Sequence, residues 1–201
     1  MLNNGYKSLP RYFAGAGGIL LSLFFLISQR GEPVVAIASI YFLLVCATDT
    51  FKSRIPNVLN IFLAATGISY NTFTVGGIGF FLSLIGLFSG ILLLLLPYLM
   101  GGFGAGDVKA LGALGSLIGP KPILNVFVYM AFCGGAMALL HYLFNSNLKQ
   151  KAREWLTNFK ASALTGDPRL LKPVKTETLR FPYAAAIAFG FYIYLIRGDV
   201  L

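Results

Sequence analysis

The chain alternates long apolar stretches with short polar connections. Several of these stretches approach the ~20 apolar residues that a helix needs to cross a bilayer. Stretch 108–118 is shorter, because at ~1.5 Å per residue it falls well below a ~30 Å hydrocarbon core. The pattern predicts an all-α polytopic membrane protein, a bundle of about seven transmembrane helices. The stretches are 12–28, 33–48, 58–70, 76–100, 108–118, 123–144 and 183–196.

The composition excludes an ordinary soluble protein. Hydrophobic residues make up 57% of the 201 residues and charged residues only 11%, with a mean hydropathy of +0.76. No separate soluble domain of any size fits, so residues 1–201 are predicted to form one integral-membrane domain. The first stretch follows Lys7 and Arg11, as in a signal sequence. No clear small-x-small cleavage site follows it, so we expect a retained first span.

The basic residues predict an orientation. A cytoplasmic N-terminus places Lys7, Arg11, Lys52 and Arg54 inside, together with the long polar segment 145–181, which has eight basic and three acidic residues. The positive-inside rule therefore favours seven spans with an external C-terminus. In the six-span alternative, stretch 108–118 is re-entrant and the basic segment lies outside, against this rule. The rule also explains the net charge of +9 without binding to nucleic acid.

The basic segment 145–181 has two interpretations. Its first part spaces apolar residues as a helix does, with lysines and arginines among them. It is either an interfacial amphipathic helix on anionic membrane lipid or a solvated connector.

Two carboxylates stand out in this apolar chain. Asp49 and Asp107 are the only acidic residues between Glu32 and Glu154. A carboxylate at membrane depth is costly and indicates a functional site. In the N-in topology the second stretch ends at Asp49, and the glycine-rich turn after the fourth stretch leads to Asp107. Both carboxylates are therefore expected at the cytoplasmic face, where they can share one site.

The first carboxylate begins the motif Asp-x5-Ile-Pro-Asn. Pro56 suits the first turn of a helix, where its missing N–H is not needed, and Asn57 can bond local backbone. Lys52 and Arg54 fit the level of the lipid headgroups. An ordinary cytoplasmic turn would explain the two basic residues, but it would not explain Asp49.

The second carboxylate lies in the motif Gly-Ala-Gly-Asp-Val-Lys, from Gly104 to Lys109. Gly104 and Gly106 allow the backbone to approach a helix or an extended peptide closely. Taken alone, Asp107 would be interpreted as a helix cap. A phosphate-binding loop fits poorly, because no Gly-Lys-Ser/Thr follows. Lys109 could either bias the carboxylates electrostatically or extend to the interface.

Together the two aspartates predict a specific chemistry. Two carboxyl groups within a few Å of each other share a proton, because they cannot both ionise easily. One then activates water as a base and the other protonates the scissile carbonyl as an acid. This aspartic-protease chemistry needs no metal and no cofactor. Cys46 and Cys133 lie in apolar runs without a CxxC pattern, so no zinc site is predicted.

These motifs resemble the aspartic prepilin peptidases of type IV pilus and related secretion systems. The tail Pro-Tyr-Ala-Ala-Ala-Ile-Ala from Pro182 is similar to their last-span motif, with Ala184 where that family often has glycine. The resemblance implies that Asp49 and Asp107 are the catalytic pair. It implies a substrate that is the leader of a prepilin or pilin-like precursor, cut at the cytoplasmic face of the bacterial inner membrane.

Two further expectations concern what the protein is not. The chain has no room for the added N-methyltransferase region of longer prepilin peptidases, so it resembles the peptidase-only enzymes of tight-adherence (Flp) pilus systems. Proteases of the presenilin and signal-peptide-peptidase kind also use GxGD, but they carry Tyr-Asp where this chain has Thr48 before Asp49. A small proton- or cation-coupled transporter that uses the same two acids is the alternative from another class.

Overall fold

The computed structural model describes residues 9–29, 31–100, 102–144 and 183–200. The basic segment 145–181, Lys7 and Pro182 therefore lie outside the described residues. The chain divides into two compact units, Met1–Gly134 with Phe181–Leu201, and Gly135–Arg180. Both aspartates lie in the first unit.

The described residues form an all-helical protein without strands. Each of its seven helices corresponds to one of the predicted apolar stretches, and α4 is one residue shorter at each end than the stretch 76–100. The helices are α1 Leu9–Ser28, α2 Pro33–Lys52, α3 Asn57–Val75, α4 Gly77–Leu99, α5 Ala105–Ile118, α6 Pro120–Phe144 and α7 Tyr183–Arg197.

Three of the described helices, α2, α3 and α4, are long and apolar enough to cross a membrane. Large apolar side chains on the outer faces of α3 and α4, such as Phe73 and Phe81, are exposed. A helix that presents apolar side chains outward suits lipid better than water. The structure thus supports a membrane protein, while the arrangement with seven complete spans stays a prediction.

Helix α5 differs from its neighbours in length and burial. Its 14 residues extend for only about 21 Å. The side chains from Asp107 to Leu117 are nearly all buried, with Lys109 the exception. Neighbouring helices therefore surround α5, and α5 holds Asp107 at its beginning.

One group of helices consists of α1, α2 and α7. The rings of Phe25 and Tyr192 stack with centroids 4.5 Å apart, and Phe42 contacts Tyr192. The Tyr192 hydroxyl donates to Ser39 Oγ at 3.1 Å, so its polar end is satisfied within the core. These contacts fix α7 against α2, the helix that carries Asp49.

A second group consists of α3, α4 and α5. A Cβ atom added to Gly86 of α4 would collide with the Gly115 carbonyl of α5, and one added to Gly115 would collide with the Gly86 carbonyl. Gly90 lies against Leu111 in the same way. The GxxxG pair Gly86 and Gly90 thus lets two helix backbones touch.

The two groups meet along a seam, formed where α2 contacts α3 and α5 and where α5 contacts α7. Asp49 belongs to the first group and Asp107 to the second. Successive helices run in opposite directions, so the end of α2 and the starts of α5 and α7 lie at the same end of the bundle. At the opposite end, Lys121 pairs with Asp199 at 2.9 Å.

Candidate functional site

Asp49 lies in the last turn of α2, three residues before the helix ends at Lys52. Its side chain is buried, and only 8% of the residue surface is exposed. The Oδ2 atom accepts a hydrogen bond from the backbone N–H of Ala184 at 3.3 Å. Because Ala184 is in the first turn of α7, its N–H has no partner within its own helix. Asp49 therefore receives stabilisation from the positive end of another helix.

Asp107 is the third residue of α5 and is buried to the same extent as Asp49. Its Oδ2 atom accepts a hydrogen bond from the backbone N–H of Gly104 at 2.9 Å. The carboxylate thus accepts a hydrogen bond from a backbone N–H at the start of its own helix. It does so from the third helical position, whereas a capping residue directly precedes the helix. A role in the helix terminus and a role in chemistry are compatible, since Oδ1 takes no part in this bond.

An aromatic contact brings the two hydrogen bonds together. The rings of Phe103 and Tyr183 lie with centroids 4.3 Å apart. Phe103 directly precedes Gly104, the donor to Asp107, and Tyr183 directly precedes Ala184, the donor to Asp49. The structure therefore places two buried carboxylates at the same end of the bundle, on segments joined by this aromatic contact.

The turn before Asp107 is packed against the connection between α2 and α3. A Cβ atom on Gly106 would lie 3.2 Å from the Cβ atom of Ile55, closer than most such contacts. A side chain at position 106 would thus push the turn away from Ile55. This is the close backbone approach that the glycines predict.

Two consecutive hydrogen bonds, one buried and one partly buried, also hold this turn. The Tyr41 hydroxyl donates to Asn60 Oδ1 at 2.7 Å, and Asn60 Nδ2 donates to the Gly106 carbonyl at 3.3 Å. Sequence reasoning missed both Tyr41 and Asn60. The available signal was a polar side chain within an apolar helix, which needs a buried partner.

The remaining motif residues lie on the outer side of the site. Pro56 directly precedes α3, one residue earlier than the first helical turn expected for it. Asn57 Oδ1 accepts a hydrogen bond from Lys109 Nζ at 3.1 Å. The structure therefore joins the two sequence motifs through Asn57 and Lys109.

A cavity of about 330 Å³ lies between α3, α4 and α5. Asn57, Asn60 and Lys109 form its polar part, on the side of the Gly106 turn. The rest of the wall is apolar, formed by Ile61, Ala64, Leu87, Ile91 and Ala113. The cavity therefore joins an apolar surface to a polar end close to Asp107.

The described part of the chain contains no group of three His, Cys, Asp or Glu side chains that could hold a metal ion. Cys46 is buried and Cys133 half-buried, and both are free thiols. Cys46 lies one helical turn before Asp49, on the same helix. A Cβ atom added to Gly18 would lie only 2.9 Å from Cys46 Sγ. Cys46 therefore acts as a small residue packed in the core.

Comparison with known families identifies one match. A sequence model of the type IV leader peptidase family matches residues 36–139, just over half of the chain. This range contains both Asp49 and Asp107 and ends before α7. Neither the curated proteins nor the solved structures contain a match to this chain.

Proposed function

The chain belongs to the type IV leader peptidase family, and from this premise we propose that it is a membrane-embedded aspartic endopeptidase for prepilin or pilin-like leaders. The catalytic pair is Asp49 and Asp107. The single observation that carries this proposal is that two buried carboxylates lie at the same end of the bundle, each accepting a hydrogen bond from a backbone N–H at the start of a helix.

The proposed reaction is hydrolysis of one peptide bond. Two neighbouring carboxyl groups hold one proton between them, because ionising both is costly. The ionised carboxylate removes a proton from water, and the resulting hydroxide adds to the scissile carbonyl carbon. The protonated carboxyl group donates to the carbonyl oxygen. Collapse of this gem-diol intermediate breaks the C–N bond. The leaving nitrogen takes a proton from the pair, and one hydroxyl of the intermediate returns a proton to the pair as the new carboxyl group forms.

The proposed orientation places this site at the cytoplasmic face of the bacterial inner membrane. Lys52, Arg54 and Lys109 are exposed at the end of the bundle where the two aspartates lie. Cytoplasmic ends of membrane proteins carry an excess of basic residues. Anionic headgroups and the precursor are the partners this face is expected to meet.

The glycine-rich turn supports a peptide substrate. Gly102 and Gly104 are exposed beside Asp107 and carry no side chain, so an extended peptide can approach the backbone there.

The chain has no paired-cysteine motif. We therefore propose a peptidase-only enzyme without N-methyltransferase activity.

The deciding experiment replaces each aspartate by asparagine, which keeps the size of the side chain and removes its acid–base function. Asp49→Asn and Asp107→Asn are each expected to insert normally and to lower precursor cleavage by about 10²- to 10⁴-fold. Leader removal is measured by the mobility shift of a co-expressed pilin precursor.

Asp199→Asn is the matched control. Asp199 is also an aspartate in a polar pair, but it lies at the opposite end of the bundle, so this variant should cleave at the parent rate. Parent-level cleavage by either Asp49→Asn or Asp107→Asn would refute the shared mechanism. Aspartate-dependent ion flux from a parent protein that leaves the precursor uncut would instead favour a transporter.

A further inference from the structure

Two hydrogen bonds connect α2 to the turn that carries Asp107. They run from the Tyr41 hydroxyl to Asn60 Oδ1 and from Asn60 Nδ2 to the Gly106 carbonyl. Tyr41 is 5% exposed and Asn60 4% exposed, so the first bond is buried, and the second is partly buried. In such an environment, losing one partner leaves the other unsatisfied at substantial cost.

The donor and acceptor roles in these two hydrogen bonds follow from the last acceptor, the Gly106 carbonyl. The Gly106 carbonyl can only accept, so the Asn60 amide must turn its NH₂ group toward it. Asn60 Oδ1 then faces Tyr41, whose hydroxyl must donate. A flipped amide would place two oxygens against each other at Gly106. The two side chains therefore form one ordered relay and not two independent contacts.

The relay acts on the peptide unit immediately before Asp107. The Gly106 carbonyl and the Asp107 nitrogen belong to the same planar peptide, so a bond to that carbonyl restrains the plane from which the Asp107 side chain projects. Glycine restrains the backbone less than other residues do, so Gly104 and Gly106 make this turn depend on its contacts.

The other end of the relay lies on the helix that carries Asp49. Tyr41 and Asp49 both belong to α2, whereas Asp107 belongs to α5. The route from α2 through Tyr41, Asn60 and Gly106 thus crosses the seam between the two helix groups. It connects the backbone next to Asp107 to the helix that carries Asp49.

We propose that Tyr41 and Asn60 are positioning residues for leader cleavage, which hold Asp107 in its working place relative to Asp49 by way of the Gly106 carbonyl. The proposal rests on the proposed function. Neither residue touches the scissile bond. Both determine whether the two carboxyl groups keep the geometry that proton sharing requires.

Two minimal substitutions test this relay. Tyr41→Phe removes one hydroxyl, and Asn60→Asp keeps the shape and the acceptor for Tyr41 but places an oxygen against the Gly106 carbonyl. We expect kcat to fall about 10- to 100-fold, because a small displacement of a reacting group has an effect of this size. KM should stay within about twofold, since the relay does not bind substrate. Cleavage of a purified pilin precursor in detergent measures both constants.

Matched controls separate positioning from loss of stability. Tyr192→Phe removes a buried hydroxyl that donates to Ser39, and Asn71→Asp changes a bridging amide at the other end of α3. Both controls should lower the melting temperature and keep the kcat of the folded enzyme. The double variant Tyr41→Phe/Asn60→Asp should lose no more kcat than Asn60→Asp alone, because both act through one relay.

The outcomes are distinct. The relay is refuted if Tyr41→Phe and Asn60→Asp keep kcat within twofold of the parent, or lose no more than their matched controls. The proposed function fails separately, if Asp49→Asn or Asp107→Asn still cleaves the precursor. Loss of cleavage in both aspartate variants with parental kcat in the relay variants would remove only the positioning role.

Discussion

At the scale of single residues, Asp49 and Asp107 are stabilised in the same way. Each carboxylate accepts a hydrogen bond from a backbone N–H in the first turn of a helix or just before it, where the amide has no partner within the helix. The partial positive charge at that end of the helix offsets part of the cost of burying an anion. The N–H of Ala184 on α7 donates to Asp49, and the N–H of Gly104 before α5 donates to Asp107.

The proposed mechanism, in which the pair shares one proton, predicts the pH dependence of the reaction. It uses one carboxyl group ionised and the other protonated, so activity should fall when both are protonated and again when both are ionised. We expect a bell-shaped plot of kcat/KM, measured between about pH 4 and about pH 9, whose two limbs belong to the pair and not to single residues.

The control for this profile is Asp199→Asn, which should leave both limbs unchanged. A profile with a single limb, or one that is flat across the range, would contradict a shared proton. The same assay on Tyr41→Phe should retain a bell, because that variant keeps both carboxyl groups.

Sequence reasoning located the two acids but not their support. Asp49 and Asp107 could be found because acids are rare in an apolar chain. Asn60 is one of three asparagines in α3. Its partner Gly106 is 46 residues away, and a periodic pattern does not predict such a pairing. Lys109 had two sequence interpretations, and only the structure gave its bond to Asn57.

At the scale of elements, apolar patterning was sufficient to place the helices and less exact at their ends. The predicted stretch 108–118 misses the first three residues of α5, because Ala105, Gly106 and Asp107 carry no apolar signal. The stretch 33–48 stops before Asp49 for the same reason. Polar or small residues can extend a helix when its adjacent turns are packed. Here those extensions, at the end of α2 and at the start of α5, contain the two aspartates.

The contact between α4 and α5 gives a prediction about stability. Gly86→Ala would force a methyl group into the Gly115 carbonyl, and overpacking of this kind costs about 2 kcal/mol. The melting temperature of the purified protein in detergent should fall accordingly. Gly77→Ala is the control on the same helix, because no described atom lies within 4 Å of its Cβ position. Equal melting temperatures for the two variants would show that the backbones are not in contact.

At the scale of the whole molecule, two groups of helices each contribute one carboxylate. The first group packs around aromatic side chains of α1, α2 and α7, and the second around glycines of α4 and α5. Neither group contains a complete pair, so the site exists only where the groups meet. Sequence topology could place both acids at one end, but the identity of the touching helices depends on tertiary packing that periodicity does not encode.

The predicted orientation can be tested with single cysteines in a variant that lacks Cys46 and Cys133. Ser53 lies at the aspartate end, after α2, and exposed Gly31 lies at the other end, between α1 and α2. In right-side-out vesicles a membrane-impermeant maleimide should label Gly31→Cys and spare Ser53→Cys. Inverted vesicles should give the opposite pattern. The reverse assignment would place the aspartates outside the cytoplasm.

The hydrogen bond from Ala184 to Asp49 has a consequence for biosynthesis. Both aspartates are made within the first 107 residues, but the N–H that Asp49 accepts from is made 135 residues after Asp49. A nascent chain that has inserted α1 to α6 therefore carries both acids without this partner and without the ring of Tyr183 against Phe103. On the ribosome, the order of translation therefore delays this hydrogen bond and this ring contact until α7 has been made.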